Sequence, residues 1–516
     1  MKQFPSRVRR GLAVVAGLAA ASIALSGCLY SLIPGQRTGP IPTATPDTDG
    51  VAAGLMPFYG QTLQWTDCDG FDCTMVTAPL NWADPSAGEV ELSVIRQPAT
   101  GGDAIGSLLT NPGGPGVSGV DLIRDSASFA VGERLMQDYD VIGFDPRGVG
   151  ESTPVTCLDA AGMDAYLYDI PPAPRGTPEW EAHLDDGNRR FAEACQANSD
   201  GILEFITTDS AARDLDLLRA VLGDEKLNYL GYSYGTFLGA TYAELFPDRV
   251  GRMVLDGAVD PSTSLLEAGT TQALGFESAL RAYMRACLAG SECPFRGTVD
   301  EAMADIGALL ASVDRSPMQA ADGREVGADT MLTGIVYPLY SQGSWEFLTG
   351  ALVDALAGDP EAILFSADGY NDRANGVYVA NFSEAFHAYN CMDYPVDWTA
   401  EDEAAAEAIL EDEAPTIAPY WNLSGNCGPW PYPPTGTRGP IAAAGAAPIL
   451  VIGTTNDPAT PYEWAVALAG QLDSGVLVTR VGEGHTGFNK GNACVDDAVE
   501  AYLLEGNAPA EDIRCE

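Results

Sequence analysis

Ser233 stands at the centre of Gly231-Tyr232-Ser233-Tyr234-Gly235, between an apolar run at 226–232 and a helical pattern over 236–246. A serine flanked at two positions either side by glycine, at a strand-to-helix turn, can be projected from a tight bend with its hydroxyl open to substrate. That hydroxyl is a weak nucleophile until a positioned base removes its proton, and histidine is the residue suited to this at neutral pH. Three histidines are present. His485 lies in Gly482-Glu483-Gly484-His485-Thr486-Gly487, a loop after the last predicted strand; His183 sits in a charged helical stretch, and His387 lies inside a long helical region where it reads as packing or surface. The base needs an acid to hold its tautomer, and Asp457 follows directly on the apolar strand that ends at Gly453. Glu463, on a predicted helix, and Glu483, just ahead of His485, are the alternatives. In chain order, Ser233, Asp457 and His485 form a set able to run acyl transfer.

Such chemistry also needs N–H donors aimed at a developing oxyanion, each contributing roughly 3–4 kcal/mol. Gly113 and Gly114 follow the predicted strand 106–111, and the N–H of Tyr234 comes straight after the nucleophile; these three are the expected oxyanion residues. The segment Asp145-Pro146-Arg147-Gly148-Val149-Gly150-Glu151-Ser152 reads as a structural loop with Arg147 ion-paired.

Positioning these loops requires a β/α scaffold. Apolar stretches at 89–96, 106–111, 139–144, 226–232, 250–256, 447–453 and 475–481 read as strands, several of them continuous enough for burial on both faces. Helical patterns alternate with them, as at 209–222 and 236–246. The expected class is α/β, a mostly parallel sheet with helices on both faces. The alternation breaks at 261–440, where helical patterns over 263–288, 299–313, 346–357 and 401–412 read as a large, mainly helical cap insertion. The body is thus expected in two parts, 55–260 and 441–516.

The N-terminus reads as an address. Basic residues up to Arg10 precede an apolar run of about 15 residues, too short to span a bilayer. Leu25-Ser26-Gly27-Cys28 resembles the lipobox of bacterial lipoproteins, which implies a signal peptide at 1–27, acylation of Cys28 and a Pro/Thr/Gly-rich tether over 28–54. The expected location is the outer face of the bacterial cytoplasmic membrane, held by the lipid alone, or the medium after an ordinary secretory cleavage. Export favours disulfides. Proximity along the chain suggests the pairs Cys68–Cys73, Cys157–Cys195, Cys287–Cys293, Cys391–Cys427 and Cys494–Cys515, although sequence does not fix connectivity. No C-x-x-C pair exists, so neither a metal site nor another cofactor is expected. A formal charge of −45 repels phosphate backbones, which argues against nucleic acid as a partner.

Five segments taken together carry a family resemblance: Gly113-Gly114-Pro115-Gly116, Asp145 to Ser152, Gly231 to Thr236, Asp457-Pro458 with Thr460-Pro461, and Gly482 to His485. The chain resembles the prolyl and tripeptidyl aminopeptidases among the α/β-hydrolases, most closely the exported, disulfide-bonded tripeptidyl branch, over roughly residues 60–515. Asn111-Pro112 departs from the His usual in prolyl iminopeptidases. The resemblance implies Ser233, Asp457 and His485 as triad, a peptide or protein with a free N-terminus as substrate, and a cap that recognises that terminus. A carboxylate must meet the α-amine, and Asp393 and Glu384 are the candidates. The alternatives are a carboxylesterase or lipase using the same triad, or a surface binding protein with an inactive hydrolase fold.

Overall fold

The structure is a computed structural model and describes residues 41, 43–423 and 426–516. The expected signal peptide, Cys28 and the first part of the tether lie outside the described residues. Ten strands form one sheet: β1 (Thr66–Cys68), β2 (Phe71–Pro79), β3 (Glu89–Gln97), β4 (Ser107–Asn111), β5 (Asp140–Phe144), β6 (Leu227–Tyr232), β7 (Val250–Asp256), β8 (Ile449–Asn456), β9 (Gly475–Glu483) and β10 (Ile513–Cys515). Their order is β1-β2-β3-β5-β4-β6-β7-β8-β9-β10. The pairs β1–β2, β2–β3 and β3–β5 are antiparallel, and every pairing from β5 to β10 is parallel.

The central strands are largely apolar because both of their faces are covered. Leu227 and Tyr229 of β6, Met253 and Leu255 of β7, and Ile449 and Val451 of β8 enter one core with Leu215, Phe237 and Leu468 from the helices Thr208–Val221, Tyr234–Leu245 and Tyr462–Gln471. Their alternates Leu230, Val254, Leu450 and Ile452 enter a second core with Ile123 and Val499 of the helices Gly119–Val131 and Ala493–Glu505. Strand alternation delivers successive side chains to opposite faces, so each strand serves both layers. The α/β class with helices on both sides is therefore as the sequence predicts.

β1, β2 and β10 have no counterpart among the strands read from sequence. β2 is antiparallel and half-exposed, with Asp72, Thr74 and Thr77 interrupting its apolar residues, and Asp72 is bonded to Arg96 of β3 at 2.9 Å. β1 and β10 have three residues each.

Between β7 and β8 the chain leaves the sheet. The helices Leu265–Ala289, Val299–Arg315, Ala328–Val336, Trp345–Leu356, Glu361–Tyr370 and Ala400–Glu413 share a core of their own, including Leu280, Ile306, Ile335, Leu352, Leu364 and Leu410. One further helix, Phe382–Asp393, returns to the body and buries Ala385, Ala388 and Tyr389 in the first core. The two crossings of this excursion are fastened together, since the Gly439 N–H donates to the Pro261 carbonyl at 3.0 Å and Arg438 donates to that of Asp260 at 3.2 Å.

The tether expected to run to residue 54 is fastened to the body well before that point, which corrects its length. The Asp47 N–H donates to the Ala220 carbonyl at 2.8 Å, and its carboxylate pairs with Arg219 at 2.8 Å and Arg249 at 3.1 Å. Disulfides join Cys68 to Cys73, Cys157 to Cys195, Cys287 to Cys293, Cys391 to Cys427 and Cys494 to Cys515.

Candidate active site

The nucleophile, acid and base candidates stand on loops at the carboxyl ends of β6, β8 and β9, all at one edge of the parallel sheet. Ser233 has φ 55° and ψ −126°, a left-handed conformation that costs a non-glycine residue about 1–3 kcal/mol. The turn is held by its N–H, which donates to the Asp256 carbonyl at 2.9 Å, and by its carbonyl, which accepts from Thr236 N–H at 2.8 Å. A Cβ on Gly231 would lie 2.4 Å from the Gly235 carbonyl oxygen, so strand and helix can approach this closely only with glycine there. Ser233 is the one residue of the pentapeptide that is not buried.

Asp457 follows β8 immediately and its side chain is fully enclosed. Oδ1 accepts the N–H groups of Ala459 at 3.0 Å and Thr460 at 2.9 Å, while Oδ2 accepts Thr460 Oγ1 and Thr486 N–H, each at 3.1 Å. Both oxygens lie 2.9 Å from His485 Nδ1. Both oxygens face Nδ1, which makes Nδ1 the donor of the imidazole and leaves Nε2 free to act as a base. His485 is further held by its N–H, which donates to the Tyr340 carbonyl at 2.8 Å, and by the Tyr340 ring standing edge-on at 5.4 Å. The alternative acids are placed elsewhere: Glu483 accepts from Asn456 Nδ2, and Glu463 is exposed on its helix.

Asp256 belongs to the site although sequence reasoning passed over it. Its carboxylate oxygens accept Gly487 and Phe488 N–H, each at 2.8 Å, so it clamps the loop that carries His485 while its own carbonyl holds Ser233. Burial pushes its pKa up to about 6 against those two bonds. The available signal was an acid closing the apolar strand VGRMVLD, where nothing but a buried partner would justify a charge.

The oxyanion expectation is corrected at one residue. The Gly113 N–H is taken by Asn111 Oδ1 at 3.0 Å, so it does not serve as a donor. What Gly113 supplies is proximity: a Cβ there would lie 2.9 Å from Ser233 Cβ and 3.0 Å from Tyr234 N. The N–H groups of Gly114 and Tyr234 take no partner among the described residues. Asn111 braces this turn through that bond.

Of the two cap carboxylates, Asp393 is also corrected. It accepts Thr208 N–H at 3.0 Å and Thr208 Oγ1 at 2.6 Å, and Thr208 Oγ1 in turn meets Tyr234 Oη at 2.6 Å. Only 2% exposed, it is engaged at the start of the helix Thr208–Val221 behind the nucleophile. Glu384 lies in the first turn of Phe382–Asp393, the helix that covers the glycine loop: a Cβ on Gly114 would lie 3.3 Å from Phe382 Cε2, and one on Gly116 would lie 3.1 Å from Ala385 Cβ. It is buried, has no ion-pair partner among the described residues, and burial raises its pKa to about 7.

The remaining residues are structural. Arg147 is wholly buried and bonds Asp214 through Nε and Nη2, both at 2.7 Å, as well as the Pro79 and Leu80 carbonyls. His387 bonds the Ser383 carbonyl at 2.8 Å and His183 pairs with Asp169 at 2.6 Å.

A parallel sheet with a serine elbow after β6 and an acid and histidine after β8 and β9 defines an α/β-hydrolase, and residues 106–299 match the family described as alpha/beta hydrolase fold. Residues 414–515 match the family described as TAP-like protein. The chain is 34% identical over 536 residues to serine protease Hip1 of Mycobacterium tuberculosis, covering 99% of this chain and 98% of that one. It is 36% identical over 518 residues to carboxylesterase B of the same organism, with 95% and 98% covered. Tripeptidyl aminopeptidase of Streptomyces coelicolor is 32% identical over 476 residues, with 88% and 86% covered. The chain belongs to this TAP-like family of α/β-hydrolases and is a serine hydrolase.

Proposed function

We propose that this protein is a membrane-tethered exopeptidase that releases short peptides, tripeptides in the first instance, from free N-termini through an acyl-enzyme. Ser233 attacks the scissile carbonyl while His485 takes its proton, and Asp457 stabilises the imidazolium. The N–H groups of Gly114 and Tyr234 receive the oxyanion. His485 then hands the proton to the departing amine, and water repeats the sequence on the ester.

The observation that carries the aminopeptidase reading is Glu384, a buried carboxylate without an ion-pair partner among the described residues, on the helix that covers the oxyanion loop. An arriving ammonium supplies the missing charge and brings the carboxyl back to its ionised form. Cys28 after Leu25-Ser26-Gly27 supports the tether. With the chain fastened at Asp47, about 19 residues separate anchor and body, a reach on the order of 25 Å.

A second reading, carboxylester hydrolysis, is favoured by the relative named carboxylesterase B. Comparing a free-amine tripeptide amide, its N-acetylated twin and a short-chain acyl ester, with Ser233→Ala as blank, separates the two. Cleavage confined to the free amine supports the peptidase; preference for the ester regardless of any amine sinks it.

A further inference from the structure

Beside His485 the cap carries an apolar groove of about 400 Å³, lined by Tyr337, Tyr340, Phe347, Phe365 and Ser366 among others. Phe365 is 71% exposed and Phe347 and Tyr337 are also exposed, a concentration of aromatic surface that a body this acidic does not need for folding. Phe347 and Phe365 face each other with centroids 6.2 Å apart, and Tyr337 and Tyr340 do so at 6.4 Å. Ser366 is buried, yet its Oγ has no hydrogen-bond partner among the described residues. A buried hydroxyl left unpaired is costly, so its place in the lining of a groove points to a ligand atom that completes it.

The groove has a definite direction relative to the chemistry. Tyr340 lines it and also stands edge-on against His485, accepting that residue's N–H. His485 is where the departing amine collects its proton, so the leaving part of a substrate must pass this side of the site. Phe382 covers Gly114, with Glu384 in the same turn, and the Tyr370 ring stands between Phe382 at 6.0 Å and Tyr337 of the groove at 5.8 Å. A peptide with its carbonyl at Ser233 presents its leaving amine to His485, and the segment beyond that amine meets Tyr340.

We propose that this groove is the binding site for an apolar or aromatic side chain just downstream of the scissile bond, with Ser366 Oγ bonding a main-chain polar atom of the same segment. The proposal rests on the exopeptidase reading above and names the part of the substrate it leaves open. It makes the enzyme selective for what it cuts away from as well as for what it releases.

The test uses free-amine peptides that share one N-terminal tripeptide and differ only in the following residue, Phe, Leu or Ser. Each is measured for kcat/KM with the wild-type protein, Phe365→Ser and Ser366→Ala. Half-burying a large apolar side chain in an open groove corresponds to about tenfold in kcat/KM for Phe or Leu over Ser. Phe365→Ser is expected to reduce that ratio to within about twofold, and Ser366→Ala to lower all three values together. The ratio between substrates is the readout, because a general loss of activity leaves it unmoved. A wild-type ratio near one, or a ratio unchanged in Phe365→Ser while the peptides are still cut, overturns the groove and leaves the exopeptidase standing. Failure to cut any peptide, with the acyl ester still hydrolysed, overturns both.

Discussion

Asp256→Asn separates the alignment of the site from the stability of the fold. The carboxylate of Asp256 accepts Gly487 and Phe488 N–H at 2.8 Å each, and its carbonyl accepts Ser233 N–H at 2.9 Å, so one residue sets the histidine loop against the nucleophile elbow. An asparagine retains one accepting oxygen and turns an NH2 group toward the other N–H. One charge-assisted bond is lost, about 1.5–3 kcal/mol, and a donor now faces a donor. Spent on the alignment of His485, that deficit lowers kcat roughly 10- to 100-fold.

Stability responds with the opposite sign. Burial raises the Asp256 pKa from 3.8 to about 6, which makes ionisation in the folded chain cost roughly 3 kcal/mol. The folded state therefore holds the proton more tightly than the unfolded state. This contribution to stability is complete below the ordinary value of 3.8 and is lost as pH rises through about 6. The charges that face the group are His485 and Lys490, with the Tyr232 hydroxyl also coupled to it. Above pH 6 the asparagine escapes the ionisation cost, which offsets its poorer bonding. The assay is kcat together with Tm, for wild type and variant, at about pH 7 and about pH 4.5. At the higher pH we expect a large loss of kcat with little change in Tm; at the lower pH the variant's Tm falls further behind. A variant with wild-type kcat, or a Tm difference equal at both pH values, refutes the reasoning.

Four further outcomes follow from the same geometry. Gly113→Ala is expected to cut kcat by about 100-fold or more, since the methyl presses on Ser233 Cβ and Tyr234 N at 2.9 and 3.0 Å and removes one oxyanion donor's access; steady-state kinetics on any ester substrate checks this. Glu384→Gln should lower kcat/KM for a free-amine tripeptide amide by about tenfold or more and leave the acyl ester unaffected, measured side by side. Asp214→Ala strands the buried Arg147 guanidinium and should destabilise the fold by about 3–5 kcal/mol in denaturant titration, with Trp82 Nε1 losing its acceptor as well. Cys28→Ala should move the protein from the membrane fraction to the soluble fraction; retention in the membrane would refute lipid anchoring.

The body of the sheet was legible because both faces of its central strands are buried, which makes β6, β7 and β8 largely apolar runs. β2 escaped because it lies toward the sheet's antiparallel edge and interleaves Asp72 and Thr74 with apolar residues, and its charge makes sense only beside Arg96. The cap helices Ala328–Val336 and Glu361–Tyr370 were missed for another reason: they are short and apolar nearly all round, which erases helical periodicity. Ser233, Asp457 and His485 could be singled out because each occupies a turn that follows a recognisable strand. Asp393 misled because sequence shows that a carboxylate exists but not that Thr208 will consume it. Gly113 misled similarly, since its neighbour Asn111 competes for the same N–H. Asp256 shows along the chain only as an acid closing an apolar strand, since its partners Gly487 and Phe488 lie more than two hundred residues away, and the groove at Phe365 joins the site only through Tyr340 against His485.

The bond between Gly439 and Pro261 gives the excursion a property of its own. Its two feet stand within one hydrogen bond of each other, so the sheet experiences some 180 residues as though they were a tight turn. Closing such a loop grows only logarithmically more costly with its length, about 0.6 kcal/mol for each doubling. The excursion also folds around its own apolar interior. Selection can therefore lengthen, prune or rebuild the parts of the excursion that touch only its own interior, changing which substrates reach the serine, while Tyr340 and the helix Phe382–Asp393 keep the loops that hold His485 and Gly114 in register.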